Sequence, residues 1–175
     1  DEVEMKEIAG HMYYLRYPLV DGDGHVTVAT TRPETMFGDT AVAIHPKASR
    51  AESLKGKHVC LPIVGRVIPI VEDDYVIMPN QGDDPKSAFA TGFLKVTPAH
   101  DPNDWDIGQR HALDIINVLA PDASISNTHG WEDCNEETSQ FLGMTREEAR
   151  GAIVAWFKTN DLLEEIRDYE HSVGH

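Results

Sequence analysis

From His11 to Leu19 the chain alternates. Met12, Tyr14 and Arg16 fall on one side and Tyr13, Leu15 and Tyr17 on the other, which is the two-residue period of a β-strand. Asp21-Gly22-Asp23-Gly24 interrupts the pattern, and it resumes from His25 to Thr31, so the two runs predict a hairpin with a loop of about four residues. Val26, Val28 and Thr30 share a face of the second strand, and the same period sets Arg32 beside Thr30. Pro33 to Asp39 is expected as a helical turn stopped by Gly38, followed by a short buried strand from Thr40 to Ile44 that ends at His45-Pro46. A helix is expected from about Lys47 to Leu54, closing at Gly56. The β-type runs Lys57 to Val64 and Arg66 to Val71 carry Pro62, Gly65 and Pro69, which suit edges or kinked strands. Residues 78–88 have the composition of a mobile surface loop.

A second strand-to-turn junction follows. In Phe93-Leu94-Lys95-Val96-Thr97 the alternation places Phe93, Lys95 and Thr97 together and Leu94 and Val96 opposite. Pro98 ends the strand, and Asp101-Pro102 is an N-cap with proline in the first helical position, with Asp104 in the first turn. The helix is expected over Asn103 to Leu113, with Trp105 and Ile107 as core contacts, and another β run over Ile115 to Leu119. Residues 120–139 are turn-rich without periodicity. Thr145-Arg146-Glu147-Glu148 forms a capping box, and Ala149, Ala152, Ile153, Trp156 and Phe157 make the apolar stripe of the helix it opens. Asn160 ends that helix, and Leu163 to Tyr169 makes a final strand. Strands outnumber helices and no regular βαβ alternation exists, which gives an α+β fold: a mixed β-barrel-like core with peripheral helices, in a single domain over residues 1–175.

Composition narrows the function. A net charge of -15 disfavours a surface that grips polyphosphate through overall attraction, so any nucleic acid must be held by a local patch or by another part of a larger protein. Cys60 and Cys134 are too far apart in sequence for a close metal-type pair and suit free thiols in a reducing, cytoplasmic setting. No apolar run approaches the roughly 18 to 20 residues that span a bilayer, and no signal core opens the chain, so no membrane partner is expected. The first residue is Asp1, and the chain is expected to be a piece excised from a longer protein.

The candidate chemistry sits at the two junctions. Thr30, Thr31, Arg32, Thr35 and Thr40 supply hydroxyls and a guanidinium at a strand end, able to orient a carbonyl or hydroxyl but lacking a strong nucleophile. Lys95 and Thr97 emerge among apolar neighbours, whereas a surface lysine would merely lay its stem along the sheet. Asp101 has a structural role available as the helix cap. That leaves Asp104 free for the concave side, where a carboxylate suits an ammonium group. His100 beside Asp101 raises a metal-dependent ester or phosphate hydrolase as the rival class, although His45, His111 or His129 would have to complete the ligand set with no supporting spacing.

Ala29-Thr30-Thr31-Arg32-Pro33-Glu34-Thr35-Met36-Phe37-Gly38-Asp39-Thr40 through Pro46, together with Lys95-Val96-Thr97-Pro98-Ala99-His100-Asp101-Pro102-Asn103-Asp104, resembles the editing domain of valyl-tRNA synthetase, the connective-peptide insertion of that class I enzyme. Isoleucyl enzymes resemble it less, and leucyl ones usually have Asp where Glu34 stands; an editing domain of either is the nearer alternative. The resemblance implies a β-barrel-rich α+β fold, with Thr30, Arg32 and Thr35 lining a pocket from one side and Lys95, Thr97, Asp101 and Asp104 from the other. Phe89 falls at the Phe of a Phe-Gly-Thr-Gly turn, here Phe89-Ala90-Thr91-Gly92.

The implied activity is hydrolysis of mischarged threonyl-tRNA(Val). A valine-selecting hydrophobic pocket rejects threonine only about 100-fold, valine enzymes being the stock illustration of that limit, so a second site must remove the error. On this resemblance Asp104, Lys95 and Thr35 are the catalytic candidates, and Thr30, Arg32, Phe89, Thr97 and Asp101 bind substrate. Asp104 would hold the α-ammonium, and Asp101 with Thr30 and Thr35 the threonyl side chain. Lys95 and Arg32 would hold the ester carbonyl or terminal adenosine. The expected partners are the acylated 3′ end of tRNA(Val) and the rest of the synthetase chain. No metal or cofactor is expected in the domain, while the parent enzyme uses ATP and magnesium. A tRNA-end binding module without catalysis is the third reading.

Overall fold

A computed structural model describes residues 6–80 and 85–173. Strand β1 (Lys6–Pro18) is central to a three-stranded antiparallel sheet in the order β2-β1-β7, with β2 at His25–Thr30 and β7 at Leu163–Val173. The alternation seen in the sequence decides which side faces inward. Leu15 and Tyr17 are fully buried, and so are Val26 and Val28 on β2. β1 starts five residues earlier than its own alternation indicates, because β7 runs alongside it as far as the pair Lys6–Val173.

The second sheet has four strands in the order β4-β5-β3-β6: β3 (Ala41–Ile44), β4 (His58–Cys60), β5 (Val67–Glu72) and β6 (Phe93–Val96). β3 and β5 are parallel, and the other two pairings are antiparallel. A single bridge, Leu19 to Val59, links the sheets. The β-rich core with peripheral helices is thus built as two open sheets that do not close into a barrel among the described residues.

Among the described residues four α-helices lie around them: α1 (Ala51–Leu54), α2 (Pro102–Arg110), α3 (Glu136–Ser139) and α4 (Arg146–Thr159). α4 begins as the capping box requires, with Thr145 Oγ1 accepting from the Glu148 N–H and Glu148 accepting from the Thr145 N–H. Its buried stripe, Ala149, Ile153 and Phe157, packs on a 3₁₀ turn at Pro33–Gly38. That turn is wholly buried and sends Phe37 into the main core, stacked on Trp131 at 5.1 Å between ring centroids. Among the described residues no helix is long and apolar enough to cross a membrane.

Several local expectations are corrected. Trp105 is exposed, because α2 buries the face made by Asp104, Ile107 and Gly108, and Trp105 lies off it. Ile115 to Leu119 forms no strand. Its amides are taken by side chains, Val118 N–H by His100 Nε2 and Leu119 N–H by Asn117 Oδ1, leaving only a bridge from Leu119 to Ile125. The helix expected from Lys47 shrinks to the single turn α1. The run Lys57 to Val64 stops as β4 at Cys60, where a tight turn returns the Gly65 N–H to the Leu61 carbonyl and holds Ile63 at φ 70°. Within the expected loop 78–88, residues 81–84 lie outside the described part. Pro85–Ala88 is a 3₁₀ turn with Ser87 buried.

Candidate active site

The end of β2 and the end of β6 face each other, because β3 enters the sheet beside β6 directly after the 33–38 turn. Thr30, Arg32 and Thr35 arrive from the first segment, and Lys95, Thr97, His100, Asp101 and Asp104 from the second. All eight line one cleft of about 250 Å³. Side-chain bonds tie its walls together: at the rim Arg32 Nη1 donates to the His100 carbonyl at 2.9 Å, and at the floor Lys95 Nζ donates to Thr35 Oγ1. Gly38 lets the walls approach, since a Cβ there would lie 2.8 Å from the Ile116 carbonyl oxygen and 3.2 Å from Thr97 Cγ2.

The cleft has a dry floor and a wetter rim. Thr35, Lys95, Thr97 and Asp104 are buried, whereas Thr30, Arg32, His100 and Asp101 keep partial exposure. Three oxygens, one for each ammonium proton, lie around Lys95 Nζ: Thr97 Oγ1 at 2.5 Å, Asp39 Oδ1 at 2.8 Å and Thr35 Oγ1 at 3.0 Å. Lys95 therefore organises the hydroxyls around it instead of presenting a spare donor. Asp39 is fully buried and receives the Thr97 hydroxyl proton at 2.5 Å and the Tyr17 hydroxyl at 2.7 Å.

Burial shifts two groups of the cleft wall, Asp104 and His100, in opposite directions. Burial lifts the Asp104 carboxyl to about 6, outweighing the Thr97 N–H, which donates to Oδ2 at 3.0 Å, and the positive charge of Lys95. The group is thus an anion at neutral pH, held in a site that makes a cation welcome. Burial, followed by the charges of Arg32 and Lys95, pushes His100 down to about 4. Its imidazole is neutral and its Nε2 already accepts the Val118 N–H at 3.2 Å. Among the described residues no three His, Cys, Asp or Glu side chains converge as a ligand group.

Asp101 caps α2 as the sequence indicates: its Oδ1 accepts from the Asn103 and Asp104 amides at 2.8 and 3.1 Å, while the residue also lines the cleft. Phe89 lies elsewhere. It lines a smaller, mostly apolar hollow of about 130 Å³ next door, reached past Met12, Ala29, Lys86 and Leu94, which border both spaces. There Arg167 sits over its ring at 4.7 Å, and Tyr169 meets it edge-on at 5.0 Å.

Sequence reasoning missed three residues. Asp39 and Tyr17 back the floor. Glu34, within the first motif, points away from the cleft and accepts two bonds of 3.0 Å from Arg150 on α4. The available signal was an acidic residue, Asp39, immediately before the buried run Thr40 to Ile44, since a charge there must find a partner.

No family model matches the chain. Curated relatives do. A valine–tRNA ligase of Parasynechococcus marenigrum is 51% identical over 172 residues, covering 98% of this chain and 17% of that protein. Those of Dehalococcoides mccartyi and Bacillus anthracis are each 48% identical over 174 residues, covering 99% of this chain and 18% of theirs. The chain therefore spans less than a fifth of the length of these relatives. Among solved structures, a chain in the LeuRS–tRNA–LeuAMS ternary complex of Agrobacterium radiobacter K84 matches 96% of this chain and 20% of its own length, with a TM-score of 0.60 at 20% identity, a likeness of fold. By sequence, nearly the whole of this chain corresponds to a segment of valine–tRNA ligases at about half identity.

Proposed function

We propose that the cleft hydrolyses the ester of threonine mischarged onto tRNA(Val), as one domain of a larger synthetase. The observation that carries this reading is the convergence of the two motifs on one cleft, with an ionised, buried Asp104 at its floor. In this reading Asp104 binds the α-ammonium by a charge-assisted bond. Thr35, Thr97 and Asp101 meet the threonyl hydroxyl, and Arg32 at the rim faces the ester carbonyl. Lys95 acts through the two hydroxyls it holds. Water is the nucleophile, placed by the cleft and assisted by the free ribose hydroxyl of the terminal adenosine. An aminoacyl ester is reactive enough for positioning and oxyanion stabilisation to suffice. The neighbouring hollow with Phe89 is suited to a planar apolar ring and would take the adenine. The partners are the acylated 3′ end of tRNA(Val) and the remaining synthetase domains, in the cytoplasm. The domain's own residues need no metal or cofactor for these steps.

Deacylation of threonyl-tRNA(Val) by the full-length enzyme tests the assignment. Asp104→Asn should reduce kcat/KM by about 100-fold or more, a loss in the range seen for single charge-bearing site groups; an unchanged rate would sink it. The pH dependence follows in sign. The folded carboxyl titrates near 6, above its ordinary 3.8, so protonation favours the fold and removes the anion that substrate needs. Deacylation should fall about tenfold per unit below pH 6, whereas the stability of wild type relative to Asp104→Asn should rise as pH drops from 6 towards 4.

A further inference from the structure

One carboxylate outside the cleft fastens three parts of the protein. Asp73 follows β5, and its N–H donates to the Ile44 carbonyl at the end of β3 at 2.9 Å, so its backbone belongs to the second sheet. Its side chain is 3% exposed. Oδ1 accepts the Tyr75 N–H and Arg110 Nη2, both at 2.9 Å, while Oδ2 accepts Arg110 Nε and meets His111 Nε2, both at 3.0 Å. Arg110 is the last residue of α2, and His111 is its C-cap. Burial alone would lift this carboxyl, but the bonds from Arg110, Tyr75 and His111 outweigh it and hold it below its ordinary 3.8. Asp73 is therefore an anion at neutral and mildly acidic pH.

The two elements it fastens wall different hollows. α2 opens on Asp101 and Asp104, which line the cleft, whereas Tyr75, Val76 and Ile77 line the hollow of Phe89. Asp73 itself lines neither. Other holds on these elements are few, since α2 buries only Asp104, Ile107 and Gly108, and Tyr75 is 46% exposed. The two-point guanidinium bond fixes the orientation of the last turn of α2 as well as its distance. The helix carries that constraint to Asp104, less than about two turns away. We propose that Asp73 is a positioning residue that holds Asp104 and the Tyr75 wall at a fixed separation, through α2 on one side and its own loop on the other, so that the acyl ester and the terminal adenosine are engaged together. The proposal rests on the editing reading above and adds to it an anchor that touches no substrate.

The test is the pH profile of threonyl-tRNA(Val) deacylation by the full-length synthetase. Its acid limb near pH 6 belongs to Asp104, whose carboxyl faces Lys95, Asp39 and the Thr97 N–H, Asp101 at its own helix cap, and Tyr75 on the loop. His100 titrates lower, near 4, and a proton on His111 would only strengthen its bond to the Asp73 anion. In Asp73→Asn the guanidinium and imidazole lose their anion, α2 loosens and water reaches Asp104, so the limb should move down to about pH 5 or below. Above the limb kcat should fall about 10-fold or more, since a displacement of about 1 Å can cost about 100-fold. Arg110→Ala removes two of the bonds from a side chain that is 49% exposed, and it should move the limb the same way by less. Val59→Ala, a buried change on the edge strand β4, loosens the fold elsewhere and should leave the limb near 6. A limb still near 6 in a folded Asp73→Asn would overturn the proposal, and so would an equal displacement in Val59→Ala. If Asp73→Asn does not fold, Arg110→Ala decides in its place. A wild-type profile without that limb, or a limb that persists in Asp104→Asn, would instead overturn the editing reading of Asp104, and this inference with it.

Discussion

The cleft floor and the clamp behind it each bury a carboxylate against a cation, yet they place the cation differently. Lys95 is 7% exposed beside Asp39, so both charges of that pair are dry. Arg150 is 36% exposed beside Glu34, so the guanidinium keeps one side in water. The first pair therefore cannot lose a member cheaply, because the survivor has no solvent to turn to. The second is asymmetric: without Glu34 the arginine swings out, but without Arg150 the carboxylate is stranded. The cleft rests on a fully enclosed ion pair, and its supporting turn is fastened to α4 by one that opens to water.

Substitutions can break that contrast, beginning with the most costly. Asp39→Ala should destabilise the fold by about 3 to 5 kcal/mol in denaturant titration, as expected when a buried charge is left alone; a loss under about 1 kcal/mol would show that water reaches Lys95 after all. Arg150→Ala should cost about 2 to 3 kcal/mol by stranding Glu34. Gly38→Ala attacks the seam between the two walls, and the rigid Ile116 carbonyl 2.8 Å from the new Cβ should make it cost about 1 to 3 kcal/mol, with threonyl ester hydrolysis lowered too. Glu34→Gln sharpens the asymmetry, because the arginine it releases can hydrate, and its cost should stay near 1 kcal/mol. If Glu34→Gln proved as damaging as Arg150→Ala, the clamp would be as enclosed as the floor.

Much of this arrangement was legible from residue order alone. The alternation of β1 and β2 gave their inward faces, the Asp101-Pro102 cap and the Thr145 box marked two helix starts, and seven of the eight anticipated site residues line one cleft. Local signals succeed where the bond is local, as in a cap that reaches three residues along the chain. They fail where a partner is remote. Glu34 and Arg150 are 116 residues apart, and nothing near either announces the other. Asp39 meets Tyr17, Lys95 and Thr97 only after two sheets have formed. The Ile115–Leu119 run shows the opposite error. Its composition suits a strand, but two of its amides, those of Val118 and Leu119, donate to the His100 and Asn117 side chains instead of to a neighbouring strand. Phe89 was placed by its turn, and the turn delivers it to the adjoining hollow, where Arg167 covers it.

The long pairing of β1 with β7 has a mechanical consequence. β2 joins β1 only from Tyr13 onward, so residues 6–12 and their partners up to Val173 extend past the three-stranded sheet as a two-stranded ribbon whose outer pair is Lys6 with Val173. Ribbons of two strands twist more readily than wider sheets. A torque applied at the ends is thus transmitted to the cleft, because Met12 and Tyr169 on this ribbon form part of its wall. Tension that separates those ends loads the backbone bonds one pair at a time, as in opening a zipper, and the cleft loses its Tyr169 wall once the opening passes the Gly10–Tyr169 pair.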